Sequence, residues 1–214
     1  MRRLAGALLL VVTGCAQLPA PLTWEAPQIG ERPSPADDLD KERAFRQVQE
    51  RYSDQAEVYA QLDTRMFVGA TFQSWPFREA KVRYLAGFEK LPAVRVEQRL
   101  AEEKTQHQEA HEFFVGAHLN DYRYDDFDKS SSTWRVVLIS NGLEIEPLKV
   151  ERVGRSNLAM RSVYPYMDEF WTAYRFKFAR KTKDGVDVIP AGTQKVTLRL
   201  ASTLGQAELE FPAE

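Results

Sequence analysis

Hydrophobic and polar positions change period several times along this chain, and each change marks an element. From Asp37-Asp38 onward, Phe45, Val48, Tyr52, Tyr59, Leu62 and Met66 recur at spacings of three, four or seven. That pattern predicts a long amphipathic helix over 37–64, with a narrow apolar stripe on a charged surface. The stripe can lie on its own domain or form a seam for a partner helix; it is too short to define a coiled coil. At Met66 the period falls to two. Met66, Val68, Ala70 and Phe72 alternate with their neighbours and predict a strand. The run Phe113–Leu119 repeats it, and both contain Phe-Val-Gly-Ala. Their flanks differ, so they read as two similar strands and not as a duplicated domain. Between them, Ser74 can cap a helix that accepts Pro76 in its first turn and gathers Phe77, Ala80, Tyr84, Leu85, Phe88 and Leu91 on one face. Pro92 starts a second helix, Ala93 to about Ala110, which turns polar after Leu100. The pair predicts a helical hairpin over 74–110.

Beyond Phe113 the pattern is β. Trp134 alternates with Val136 and Leu138 on the expected core face, and the run ends at Asn141-Gly142, a strong hairpin signal. Leu148–Val153 and Phe170–Phe178 follow. Asp184-Gly185 predicts another hairpin, leading to Val186–Val188. Val196, Leu198 and Leu200 alternate with Lys195, Thr197 and Arg199, and a turn at Gly205 leads to Ala207, Leu209 and Phe211. About eight short strands at such spacing predict a sandwich or barrel. The fold class expected is therefore α+β, with a β-sandwich over 65–214. The pattern resembles an immunoglobulin-like antiparallel sandwich carrying an N-terminal long helix and an inserted helical hairpin. The Cys-Trp-Cys signature of that family is absent, so the resemblance is one of architecture.

The N-terminus follows a different logic. Met1-Arg2-Arg3 is basic, Leu4–Val12 is apolar, and Thr13-Gly14-Cys15 follows at once. The apolar run is too short to span a bilayer as a helix but has the layout of a signal peptide over 1–14. Val12-Thr13-Gly14-Cys15 resembles the lipobox of bacterial lipoproteins, with Val12 in place of the usual Leu. The resemblance implies a diacylglyceryl thioether on Cys15, cleavage after Gly14 and acylation, commonly by palmitate, of the new amine. Several acyl chains tether a protein stably where one does not. Ala16, where an Asp would imply inner-membrane retention, points to an outer-membrane anchor. Pro19, Pro21, Pro27, Pro33 and Pro35 make 15–36 an extended tether behind the lipidated Cys15.

Composition narrows the function classes. Of 214 residues, 43% are hydrophobic and 28% charged, and the formal net charge is -2. That composition is globular and lacks a broad basic footprint for nucleic acid. The single cysteine excludes a disulfide framework or a Cys-rich zinc module.

Candidate chemistry is sparse. Glu103, His107 and His111 fall one turn apart on a predicted helix face and could line a metal site, although His107–His111 is not an HEXXH motif. The plainer reading leaves them solvated, with no metal. Asp121, Asp125, Asp126 and Asp128 crowd one loop among Tyr122, Tyr124 and Phe127; such an oxygen-rich loop can bind calcium, but EF-hand spacing is absent and the plainer reading is a solvated loop with aromatic anchors. Tyr164, Tyr166, Phe170 and Trp171 form the densest aromatic segment, which can contact a partner or plug an end of the sandwich core. With Tyr122 and Tyr124 these are the candidate partner contacts. No nucleophile elbow or phosphate loop is present, and no cofactor is expected. The expectation is a non-enzymatic lipoprotein, tethered to the outer membrane and facing the periplasm. It would bind an envelope protein partner or contribute to envelope structure. Two alternatives stay open: a metal-dependent enzyme or metal binder using Glu103, His107 and His111, and a carrier of a small lipid or sugar ligand.

Overall fold

A computed structural model describes residues 35–60 and 63–213. In chain order the elements are α1 (Pro35–Arg51), β1 (Ser53–Ala60), β2 (Asp63–Phe72), α2 (Trp75–Glu89), α3 (Ala93–Glu109) and β3 (Ala110–Leu119). A 3-10 turn at Tyr122–Tyr124 leads to β4 (Arg135–Ser140), β5 (Leu143–Ile145), β6 (Lys149–Arg155) and α4 (Leu158–Val163). The chain ends with β7 (Thr172–Ala179), β8 (Lys195–Ser202) and β9 (Gly205–Pro212). All strand pairs are antiparallel. They build a five-stranded sheet in the order β1-β2-β3-β7-β6 and a four-stranded sheet in the order β5-β4-β8-β9.

One face of the larger sheet makes the sandwich core. Met66, Val68, Ala70 and Phe72 of β2 lie opposite Leu119, Ala117, Val115 and Phe113 of β3, and Tyr174 and Phe176 of β7 continue the row. These side chains are buried against Val196, Leu198, Leu200, Leu209 and Phe211 of the smaller sheet, with the Phe113 and Phe211 rings 5.2 Å apart. The sheets also meet at one edge, where the Glu210 amide donates to Asp54 Oδ2 on β1 (2.8 Å). The other face of the larger sheet is covered by α2, α3 and the segment after α4. The result is an α+β fold of three layers: helices, five-stranded sheet, four-stranded sheet.

Local signals place several elements where the pattern put them. The Phe77 amide donates to Ser74 Oγ (3.4 Å) at the start of α2, and Pro92 immediately precedes α3. Asn141 and Gly142 both have positive φ, 48° and 81°, which a tight β4–β5 turn requires. Gly205, at the β8–β9 turn, brings its Cα against Val58 on β1, where a Cβ would sit 2.3 Å from Val58 Cγ1.

The long helix over 37–64 is not formed. The helix ends at Arg51 and the chain enters β1. The overlooked signal is the alternation of Ala56 and Val58 with Gln55, Glu57 and Tyr59. Pairing from Ser53↔Thr71 to Ala60↔Asp63 satisfies the outer backbone groups of β2 and buries Val58. A helix would satisfy its own backbone but leave that sheet edge bare. Nine strands are present among the described residues, against about eight expected: β1 and β5 are additional. The strand expected at Val186–Val188 is reduced to one bridge, Lys181↔Asp187, with Val188 buried and Val186 exposed. The lipobox-like segment, most of the proline-rich tether and Leu62 lie outside the described residues. Among the described residues no helix is long and apolar enough to cross a membrane.

Candidate functional site

The aromatic segment after α4 sits on the covered face of the larger sheet because two glycines leave room for it. Gly69 and Gly116, the glycines of the repeated Phe-Val-Gly-Ala, are direct partners across β2 and β3. A Cβ on Gly69 would lie 2.5 Å from the Tyr166 ring, and one on Gly116 would lie 2.6 Å from Met167 Cγ. Tyr164 stacks on Phe114 with ring centroids 3.9 Å apart. The Tyr166 hydroxyl donates to the Phe114 carbonyl (3.1 Å) and accepts from Thr71 Oγ1 (3.2 Å). Thr71 lies 2.7 Å from Ser53 Oγ, which accepts from Gln49 Nε2 (3.1 Å). Burial pushes both phenols, Tyr164 and Tyr166, above their ordinary range.

The six aromatic contact candidates therefore divide. Tyr164 and Trp171 are buried, and Tyr166 is half-buried with its hydroxyl bonded inward. Tyr124 is half-buried, and its carbonyl accepts from Trp134 Nε1 (2.9 Å). Tyr122 and Phe170 stay in solvent, 84% and 62% exposed. Register puts their segments at one end of the larger sheet, since Ala117 of β3 pairs with Thr172 of β7. The acidic loop at that end is tied to the neighbouring strands and to itself. Asp125 accepts from the Tyr174 (2.5 Å) and Thr172 (2.8 Å) hydroxyls, and Asp126 accepts from Ser132 Oγ (3.1 Å).

Glu103, His107 and His111 do not converge. Glu103 is paired with Arg78 and with Lys81 (3.0 Å). His107 lies between the Trp75 ring and the Arg180 guanidinium. His111 is in β3, not on the helix, and its ring is buried beside Phe72. The expectation that both imidazoles are solvated is thus corrected for His111: α3 ends at Glu109, and β3 pairing with Phe178 turns the ring inward. Among the described residues no group of three or more His, Cys, Asp or Glu side chains is placed to hold a metal ion.

The pattern along the chain did not reveal a buried charge network. Arg78 is among the largest fully buried side chains, 1% exposed. Its guanidinium pairs with Glu103 and with Glu112 (3.3 Å), and its Nε donates to the Gln73 carbonyl (2.9 Å). Arg175 reaches Glu112 from β7 (2.8 Å). The Tyr164 hydroxyl (3.3 Å) and Lys81 (3.4 Å) both donate to Gln73 Oε1. Burial alone would raise the Glu103 carboxyl, but Lys81 and Arg78 outweigh it and hold it below its ordinary value. Burial lowers the Lys81 ammonium against the pull of Glu103. The network pins α2 and α3 to the sheet.

On the far side of α2 lies an apolar groove of about 650 Å³ against α1, with Phe45, Val48, Ala80, Tyr84 and Phe88 among its walls. Phe45 stacks on Tyr84 (4.2 Å). The sequence signal for this groove was the Ala80, Tyr84, Phe88 stripe, which turns toward α1, while Arg78 reaches Glu112 on the sheet and Val82 lies beside Arg99 and Gln106 of α3.

No family model matches the chain, and no curated protein matches it. Among solved structures it is similar to a crystal structure of a novel protein of unknown function from Burkholderia pseudomallei K96243. The identity is 10%, the match covers 82% of this chain and 86% of that one, and the TM-score is 0.39.

Proposed function

We propose that the protein is a non-enzymatic, periplasm-facing lipoprotein, anchored to the outer membrane through Cys15, that holds an envelope protein partner at one end of its larger sheet. The observation that carries the partner site is the division among its aromatic side chains. Tyr164 and Trp171 are consumed by packing, whereas Tyr122 and Phe170 project into water at the same sheet end. Large exposed rings on loops held by a rigid scaffold are effective contact residues. The immunoglobulin-like character of the sandwich belongs to the same proposal, because such scaffolds present binding loops at their ends. The anchor rests on the lipobox-like Val12–Cys15 and on Cys15 being the one available thiol.

The test is photo-crosslinking in cells with the full chain carrying a photoreactive residue at position 122 or 170, and at exposed position 210 on β9 as a control. The expected result is one discrete envelope-protein adduct from 122 and 170 and none from 210. Equal, diffuse labelling from all three overturns the partner site. For the anchor, Cys15→Ala is expected to abolish membrane attachment; an outer-membrane mutant that still incorporates fatty acid refutes it.

A further inference from the structure

We propose that the groove between α1 and α2 is a binding site for a fatty acid, with its acyl chain along the groove walls and its carboxylate at Lys41 and Lys90. The two helices run antiparallel. The carbonyl of Tyr52, just after α1, accepts from the amide of Phe72, just before α2, while Phe45 stacks on Tyr84 farther along. Lys41, early in α1, and Lys90, which caps the end of α2, therefore share one mouth of the groove, and both line it.

Two properties select this ligand class. The first is shape and polarity: about 650 Å³, walled by Phe45, Val48, Ala80, Tyr84, Phe88 and Val96, lies within the range of small-ligand sites. Phe88 is 67% exposed, a large apolar area left open to water. The second is charge. Among the other lining ions, Glu42 is paired with Arg46 (3.6 Å) and Arg83 with Glu79 (2.8 Å). Lys41 and Lys90 make no ion pair among the described residues, and both line the mouth, so two ammonium groups stand beside an apolar channel. An anion with one long apolar tail complements both features. The site is separate from the exposed rings at positions 122 and 170 and does not depend on the partner reading.

The test feeds cells that express the full chain a diazirine-bearing palmitic acid, irradiates them and maps adducts by mass. Any anchor label falls on the peptide carrying Cys15, so labelling there reports the anchor and labelling of α1 and α2 reports the groove. The expected result is an adduct with the mass of the unesterified acid on peptides of α1 and α2. It should be lost in Gly87→Trp, which fills the groove, and diminished in Lys41→Glu with Lys90→Glu, which reverses the mouth. The proposal is overturned by unlabelled groove peptides, by adducts of phospholipid mass or cross-links to another protein in their place, or by labelling that the charge reversal leaves unchanged. The charge-reversed variant alters only exposed side chains and keeps the test decisive where Gly87→Trp does not fold.

Discussion

Gly69 and Gly116 face each other across β2 and β3, and their two missing side chains are the seats of Tyr166 and Met167. The sheet is dimpled where these two side chains of the covering segment sit.

Alanine at either glycine forces that segment outward. Each substitution is expected to cost ~1–3 kcal/mol, the usual range for overpacking a filled interior. Urea unfolding measures this. Gly87→Ala is the control: on the surface of α2, with nothing within 4 Å of its added methyl, it is expected to stabilise by roughly 0.5–1 kcal/mol. Losses under ~0.5 kcal/mol at both sheet glycines would mean that the segment lifts without resistance.

Arg78→Ala removes the most deeply buried of the cations that pair with Glu103 and Glu112 beneath α2, leaving Lys81 and Arg175 as their remaining partners. Breaking a buried pair from one side costs about 3–5 kcal/mol, because the partner charge stays buried. Adding Glu112→Gln to Arg78→Met is expected to recover part of the loss. A double-mutant cycle with no coupling between positions 78 and 112 would contradict the network.

Acid should loosen the same layer. The Glu103 carboxyl is held below its ordinary value of 4.5, so the folded state releases its proton more readily than the unfolded chain. Its contribution to stability is complete above that value and is lost as pH falls through the folded one. Glu103→Gln is therefore expected to flatten the pH dependence of stability in the acid limb below 4.5. The result to look for is a smaller gap between wild type and variant at low pH than at neutrality. An equal gap at both removes Glu103 from the acid response.

Trp134 is buried, stacks on Phe127 at 5.4 Å and donates to the Tyr124 carbonyl. Trp134→Ala is expected to destabilise by ~3–5 kcal/mol, the range for a buried large aromatic. Denaturant unfolding with a change under ~0.5 kcal/mol would place this ring outside the core.

What could be read along the chain was local. Ser74 capping α2, the turn at Asn141-Gly142 and the core side of Trp134 depend on residues within a few positions of one another. The Phe-Val-Gly-Ala repeat was visible too, but its meaning was not. That Gly69 meets Gly116 is a matter of register across a helical insertion, and no local spacing encodes it. Arg78 fell between apolar positions of α2, and its partners Glu112 and Arg175 belong to strands that only folding brings together. The α1–β1 boundary failed for a different reason. Tyr52, Tyr59 and Met66 match helical spacing by coincidence, and pairing with β2 outweighed that weak preference. The groove's stripe was legible at Ala80, Tyr84 and Phe88, but not the helix that faces it.

The edge strand β6 has a consequence for crowding. Its residues include Lys149, Glu151 and Arg152, and its register slips between Arg152 and Gly154, where φ is +128°. A bulged, charged edge cannot template the strand of a neighbouring molecule. The smaller sheet's outer strand β5 has only three residues, and β1 and β9 meet at the joined edge. Molecules confined together at high local concentration would thus collide without zipping into a shared sheet, which leaves the loops and helical faces free for selective contacts.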